Sequence, residues 1–265
     1  MKRKESTGRA WVFSSAKNTS NRAYWLNTFL ALAGFSFLVY LSFTSLGYDL
    51  MWKGVWSYRS SFFQGYLMTI LLSIIALVLS TILGILVGLA QQSKVIFLRI
   101  LSRGYVEIIR GTPILVQILI FYYVIANSLG IDNRLLVGVC IMSVFSSAYI
   151  AEIIRSGIES VSKSQLETAV SLGFTNRQIY QHIIFPQVVT RILPPLTGQF
   201  AALIKDSSLL SVIAIKEVTM AAREINAATF STLESYLPLA VCYLLLTIPI
   251  SLLTRKLEKK YSYEY

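Results

Sequence analysis

Charge is what this chain has least of. Asp, Glu, Lys and Arg together make up 14% of its 265 residues, against 55% hydrophobic residues and a mean hydropathy of +0.62. That scarcity excludes a soluble domain, which needs far more polar side chains to cover a core of this size. Cysteine is nearly absent. The two present, Cys140 and Cys242, both fall inside apolar runs, so neither a disulfide framework nor a thiolate metal cluster is available. The single histidine, His182, leaves no nucleophile, base and orienting group to assemble. No Gly-x-x-x-x-Gly-Lys-Ser/Thr stretch occurs, which excludes a phosphate cradle of that type. An enzyme is disfavoured, no metal or cofactor is expected in this chain, and any ATP hydrolysis falls to a partner.

What the chain has in quantity is apolar sequence long enough to cross a bilayer, for which about 20 residues suffice. Six spans are expected, near 24–43, 66–89, 113–129, 135–153, 188–215 and 237–253. The first is too long for a signal-peptide core and follows 23 residues, so it reads as an uncleaved helix. With both termini inside, eighteen Lys and Arg residues lie on the inner side and five on the outer, with Lys205 left within a span. This positive-inside bias puts both termini in the cytoplasm and accounts for the net charge of +11 without nucleic acid. The expected organisation is a basic tail (1–23), an N-terminal helix (24–46), a helical body (62–256) and a short tail (257–265).

One polar segment, about 156–190, interrupts the apolar pattern and faces the cytoplasm in this arrangement. Lys163 to Leu172 has helical character. Ser164 and Glu167 match a capping box, Ala169 keeps one face small enough for another surface to approach, and Gly173 suits a helix stop. Asn176 suits the start of a second short helix carrying Ile179, Tyr180, Ile183 and Ile184, which Pro186 would end or turn. An amphipathic connector would look similar. Loops this long are usually functional or disordered, however, and this one has too many apolar residues at helical spacing for disorder, which favours a docking element.

The spacing Glu167-Thr168-Ala169, Gly173, then Ile183-Ile184-Phe185-Pro186 resembles the EAA signature loop of type I ABC importer permeases. Thr168 and Phe185 depart from the usual Ala and Leu. Glu107 to Gln117, Ala148 to Ile158 and Leu203 to Leu209 are similar to segments of permeases for polar amino acids, with Ser156 and Ser207 departing from the usual Gly and Thr. The resemblance covers most of 66–253. It implies an all-α membrane fold with a five-helix core, to which the N-terminal helix is an addition. Glu167 to Gly173 would be a coupling helix seated in an ATPase, with Phe174, Arg177 and Pro186 beside it. The implied partners are two ATPase subunits that bind ATP and Mg, a second permease subunit, a periplasmic amino-acid-binding protein and the lipids of the bacterial inner membrane. The implied activity is import by alternating access. An ATP-independent carrier or channel would share the hydropathy without needing a docking loop, and a regulatory membrane protein would transport nothing.

Polar groups within the spans are costly and normally face a bundle interior or an aqueous path. Lys205, Asp206 and Ser207 are therefore candidates for a translocation path or gate, as are Arg110, Thr112 and Gln117 where the third span begins. The competing readings are structural. Lys205 and Asp206 would lie at a helix end, Arg110 would anchor in headgroups, and Thr112 would cap the helix that follows. Glu152 is expected to pair with Arg155. Gly65, Ser73, Ser80, Gly84 and Gly88 suit close helix packing, and Pro194-Pro195 suggests a bent or interrupted fifth span.

Overall fold

The computed structural model describes residues 21–45 and 50–261. The basic tail expected at 1–23 lies almost wholly outside them, as do the last four residues. The chain divides into two compact units, Met1–Leu50 and Met51–Tyr265. The first contains α1 (Asn21–Ser45), apolar on every face, as a lipid-embedded helix requires.

The second unit begins with a short helix, α2 (Trp52–Trp56), and continues into α3 (Arg59–Gln91). At 33 residues α3 is about 50 Å long, well over the ~30 Å hydrocarbon thickness. Its buried positions include Gly65, Thr69, Ser73, Ala76, Ser80, Gly84 and Gly88, a stripe of small residues on one face. A Cβ on Gly84 would lie 2.6 Å from Ile150, and one on Gly88 would lie 3.1 Å from both Ile154 and the Ala151 carbonyl. The stripe therefore lets the central helix α6 (Arg134–Glu159) lie directly against α3. The structural reading of these glycines and serines holds.

Between α3 and α6 the sequence reading needs correction. Residues 96–111, which the expected spans leave between them, form α4 (Ile96–Gly111), followed by α5 (Ile114–Ile120) and a π-helical turn (Phe121–Ala126). The two arms meet at 106°. Ile114–Ala126 alone reaches about 20 Å, too short to cross the membrane independently. Pro113 is the cause. It forces Thr112 into an extended conformation (φ −120°, ψ 143°), which ends α4. Thr112 caps nothing ahead of it, for its hydroxyl donates back to the Ile108 carbonyl at 2.9 Å.

After α6 come α7 (Lys163–Ser171), α8 (Asn176–Ile179), a π-helical turn (Tyr180–Ile184) and α9 (Phe185–Asp206). Pro186 does not end the helix here. The π turn ahead of it, closed by the Phe185 N–H on the Tyr180 carbonyl, absorbs the missing N–H, and α9 continues. Pro194 and Pro195 lie inside α9 without interrupting it. The interruption comes later, as a 3₁₀ segment (Ser207–Ile213) and a left-handed Ala214, before α10 (Val218–Thr229), at 48° to the preceding helix. The last helix is α11 (Thr232–Tyr261), longer than expected. Three helices (α3, α6 and α11) are each long and apolar enough to span, and up to five spans result if each bent pair counts as one. The expected six is reached only if α1 is added.

The core gathers around α6. Met142, Ile118, Leu72, Leu203 and Leu210 form its main cluster, and Phe145, Ala148, Val106 and Ile109 a second.

Candidate functional site

The segment between α6 and α9 is a rigid elbow. Its base is pinned at two points. Gly157 on α6 approaches α9 so closely that a Cβ would lie 2.4 Å from Ile192 Cγ2. The Arg191 guanidinium donates to the Ser160 carbonyl. A third tie reaches outward, from Gln187 Nε2 to Gln165 Oε1 on α7 (3.1 Å).

Ser162, not Ser164, is the N-cap of α7, and its side chain makes no capping bond, so the capping box expected at Ser164 is not formed. The box occurs at the next helix. The Thr175 hydroxyl receives the Gln178 N–H, and Gln178 Oε1 accepts the Thr175 N–H at 2.9 Å. The sequence carried that signal as Thr-x-x-Gln. Gly173 closes α7 as expected. It has φ +79°, the Phe174 N–H reaches the Ala169 carbonyl, and the Gly173 N–H reaches the Val170 carbonyl, both at 3.0 Å. This double bond pattern needs a left-handed residue after the helix, which glycine adopts without strain. Its Cβ position faces open space.

The apolar residues of the elbow divide into two sets. Ala169, Val161 and Ile179 are buried within the chain. Ala169 is thus small to suit its own fold, not to admit a partner. Other apolar residues of the elbow are open to its surroundings: Val170 is 62% exposed, Leu172 72%, Phe174 39%, and Tyr180 and Phe185, whose rings lie together, 51% and 55%. Glu167, Thr168, Arg177 and Pro186 are also exposed. The segment thus presents apolar and charged side chains to its surroundings together. The sequence reading named Glu167 and Gly173 but missed Val170 and Leu172. Both are ordinary apolar residues whose direction only the helix phase reveals.

The pathway candidates separate into two groups. Gln117 is buried, and its amide donates to the Ile109 carbonyl (2.7 Å) and to Thr112 Oγ1 (2.8 Å). It satisfies the last turn of α4 and holds the α4–α5 corner. Arg110 reaches across to Glu152 (3.4 Å) and lies over the Tyr149 ring at 5.5 Å, so it is tied to α6 as well as exposed. Glu152 in turn holds Arg155 at 2.6 Å, as expected, and Arg155 continues to Glu159. Ser207 is buried and donates to the Ile204 carbonyl at 2.7 Å. Lys205 is exposed and Asp206 half-buried, and neither side chain makes a hydrogen bond or salt bridge among the described residues, although the Lys205 charge acts on Asp206. They sit where α9 ends.

A buried carboxylate escaped the sequence reading. Glu217 caps α10, accepting the N–H groups of Thr219 and Met220 at 2.8 Å and the Tyr243 hydroxyl at 3.0 Å. It joins the broken region to α11. Nothing in its local sequence distinguishes it from a loop glutamate.

Known proteins agree with this architecture. Residues 80–263 match the family described as binding-protein-dependent transport system inner membrane component. A probable glutamine ABC transporter permease protein, GlnM of Bacillus subtilis (strain 168), is 40% identical over 166 residues, covering 62% of this chain and 76% of that one. The glutamine transport system permease protein GlnP of Escherichia coli (strain K12) is 34% identical over 212 residues, covering 79% and 96%. A crystal structure of an amino acid ABC transporter with histidines superposes with a TM-score of 0.74 at 32% identity, covering 80% of this chain and all of that one. An inward-facing MetNI methionine ABC transporter shares the fold, with a TM-score of 0.59 at 14% identity.

Proposed function

The chain belongs to the family of binding-protein-dependent transport system inner membrane components, and on that premise we propose how its parts divide the work. It is the permease component of an amino acid ABC importer. The amino acids carried are polar, with glutamine the first candidate because the permeases it resembles are named for glutamine.

The elbow is the grip for the ATPase. The observation that carries this reading is the exposed Val170–Leu172 tip on a helix whose base is pinned to both α6 and α9. A partner that seats the tip moves both helices together, because Gly157 and Ile192 leave no slack between them. Glu167, Thr168 and Arg177 rim the tip and set orientation, while Gly173 and Pro186 fix its shape. Two ATPase subunits bind ATP and Mg and close on hydrolysis cycles. A second permease subunit completes the pathway, and a periplasmic binding protein delivers the amino acid. Alternating access then needs two bundle arrangements whose balance nucleotide biases. The bent α4–α5 pair and the break after Asp206 supply joints. Lys205 and Asp206, at that break, line the path. Arg110, Thr112, Gln117 and Ser207 hold its walls in place.

The test is uptake of labelled glutamine by proteoliposomes containing the permease, its ATPase and its binding protein. ATP-dependent uptake that unlabelled glutamine suppresses, and leucine does not, supports the reading. Uptake without the ATPase points instead to an independent carrier.

A further inference from the structure

At the opposite end of α3 from the Gln92–Glu159 contact lies a cavity of about 530 Å³ formed by α2, α3 and α11. Its size falls within the ~300–1,000 Å³ of small-molecule sites, but its lining is almost wholly apolar. Trp52, Val55, Trp56 and Phe62 line it, together with Pro238 and, one helical turn further along α11, Cys242. The only charges on it are two exposed cations, Lys53 and Arg59. Neither is in an ion pair among the described residues. The Arg59 guanidinium lies 5.9 Å from the centre of the Trp56 ring, which holds it beside the apolar wall.

We propose that this cavity is a binding site for an anionic phospholipid, with an acyl chain against Trp52, Phe62 and Cys242 and the phosphate between Lys53 and Arg59. The charge pattern selects this occupant. A zwitterionic lipid offsets its phosphate with its own ammonium and an uncharged lipid has no phosphate, so each gains less from the two cations than an anionic lipid does, and an amino acid would find no acceptor for its ammonium on this lining. Paired tryptophans on a short helix mark the level of the headgroups, where indole rings prefer to sit. The apolar depth beneath them is the shape of a chain, not of a soluble anion. The apolar spanning part of α11 is not buried by the rest of the chain, so lipid has a lateral way in.

The test uses brominated lipids, which quench tryptophan on contact. The full chain, with Trp11 and Trp25 changed to Phe, is reconstituted in phosphatidylcholine bilayers titrated with brominated phosphatidylglycerol or brominated phosphatidylcholine. Half-quenching of Trp52 and Trp56 is expected at a fraction of the anionic lipid about 25-fold lower, since each of the two nearby cations contributes about fivefold in affinity. Lys53→Gln with Arg59→Gln should remove the preference, while Lys94→Gln, at the other end of α3, should leave it. Free inorganic phosphate should not relieve the quenching. Equal quenching by the two lipids, or a preference that survives the double substitution, overturns the proposal. So does an absence of quenching, which means protein covers the site. The readout does not depend on transport.

Discussion

Replacing Val170 and Leu172 together by alanine tests the docking surface where the structure makes its strongest commitment. The two side chains are 62% and 72% exposed in the isolated chain. Fully burying such a side chain stabilises by about 1.5–3 kcal/mol. Scaled by the fraction still open to solvent, the pair contributes about 2–4 kcal/mol to docking, or about 30- to 800-fold in affinity. The permease itself should barely notice, because surface truncations away from packed groups usually stay within about 0.5 kcal/mol. Affinity is read by titrating fluorescent ATPase onto the purified permease in nanodiscs, and permease stability by thermal unfolding of the same sample. A large loss of affinity at unchanged stability is expected. Unchanged affinity would refute the reasoning. A large fall in stability would show that these residues belong to the fold instead.

Three further outcomes follow from the geometry. Gly173→Ala meets no atom within 4 Å, so its cost is backbone strain at φ +79°, about 1–2 kcal/mol confined to the α7 terminus; insertion should be normal, while uptake falls more than ATP hydrolysis does when both are measured on the same vesicles. Gly157→Ala drives a methyl into Ile192 and should destabilise the elbow by about 1–3 kcal/mol, with Ile192→Ala in the same chain recovering part of the loss in unfolding temperature. Gln117→Leu leaves the Ile109 carbonyl and the Thr112 hydroxyl without their amide donor and should cost about 1–3 kcal/mol; a fall in stability with an unchanged KM for the amino acid marks Gln117 as a wall of the pathway, and a selective rise in KM marks it as a ligand.

The legibility of this fold in its sequence follows from how locally each feature is determined. The stripe from Gly65 to Gly88 was readable because close helix packing needs small residues at one helical phase, and Gly84 and Gly88 meet α6 as that pattern requires. Gly173 was readable because only a left-handed position explains it. Pro186 misled because a proline can be accommodated by a π turn as well as by a helix end, and the choice depends on packing between α6 and α9. The α4–α5 corner was half visible. Pro113 marked the break, but the angle of 106° is set by Gln117 and by contacts of α4 with α6. Val170, Leu172 and Glu217 were hidden because exposure and burial depend on neighbours remote in sequence.

The central claim is that the elbow is what the ATPase grips, and amide hydrogen exchange on the permease with and without its ATPase tests it most directly. Residues 163–185 should gain protection when the ATPase is added, and the segment 127–134 at the far end of α6 should not change. Protection that leaves 163–185 untouched and appears at another cytosolic segment would contradict the account.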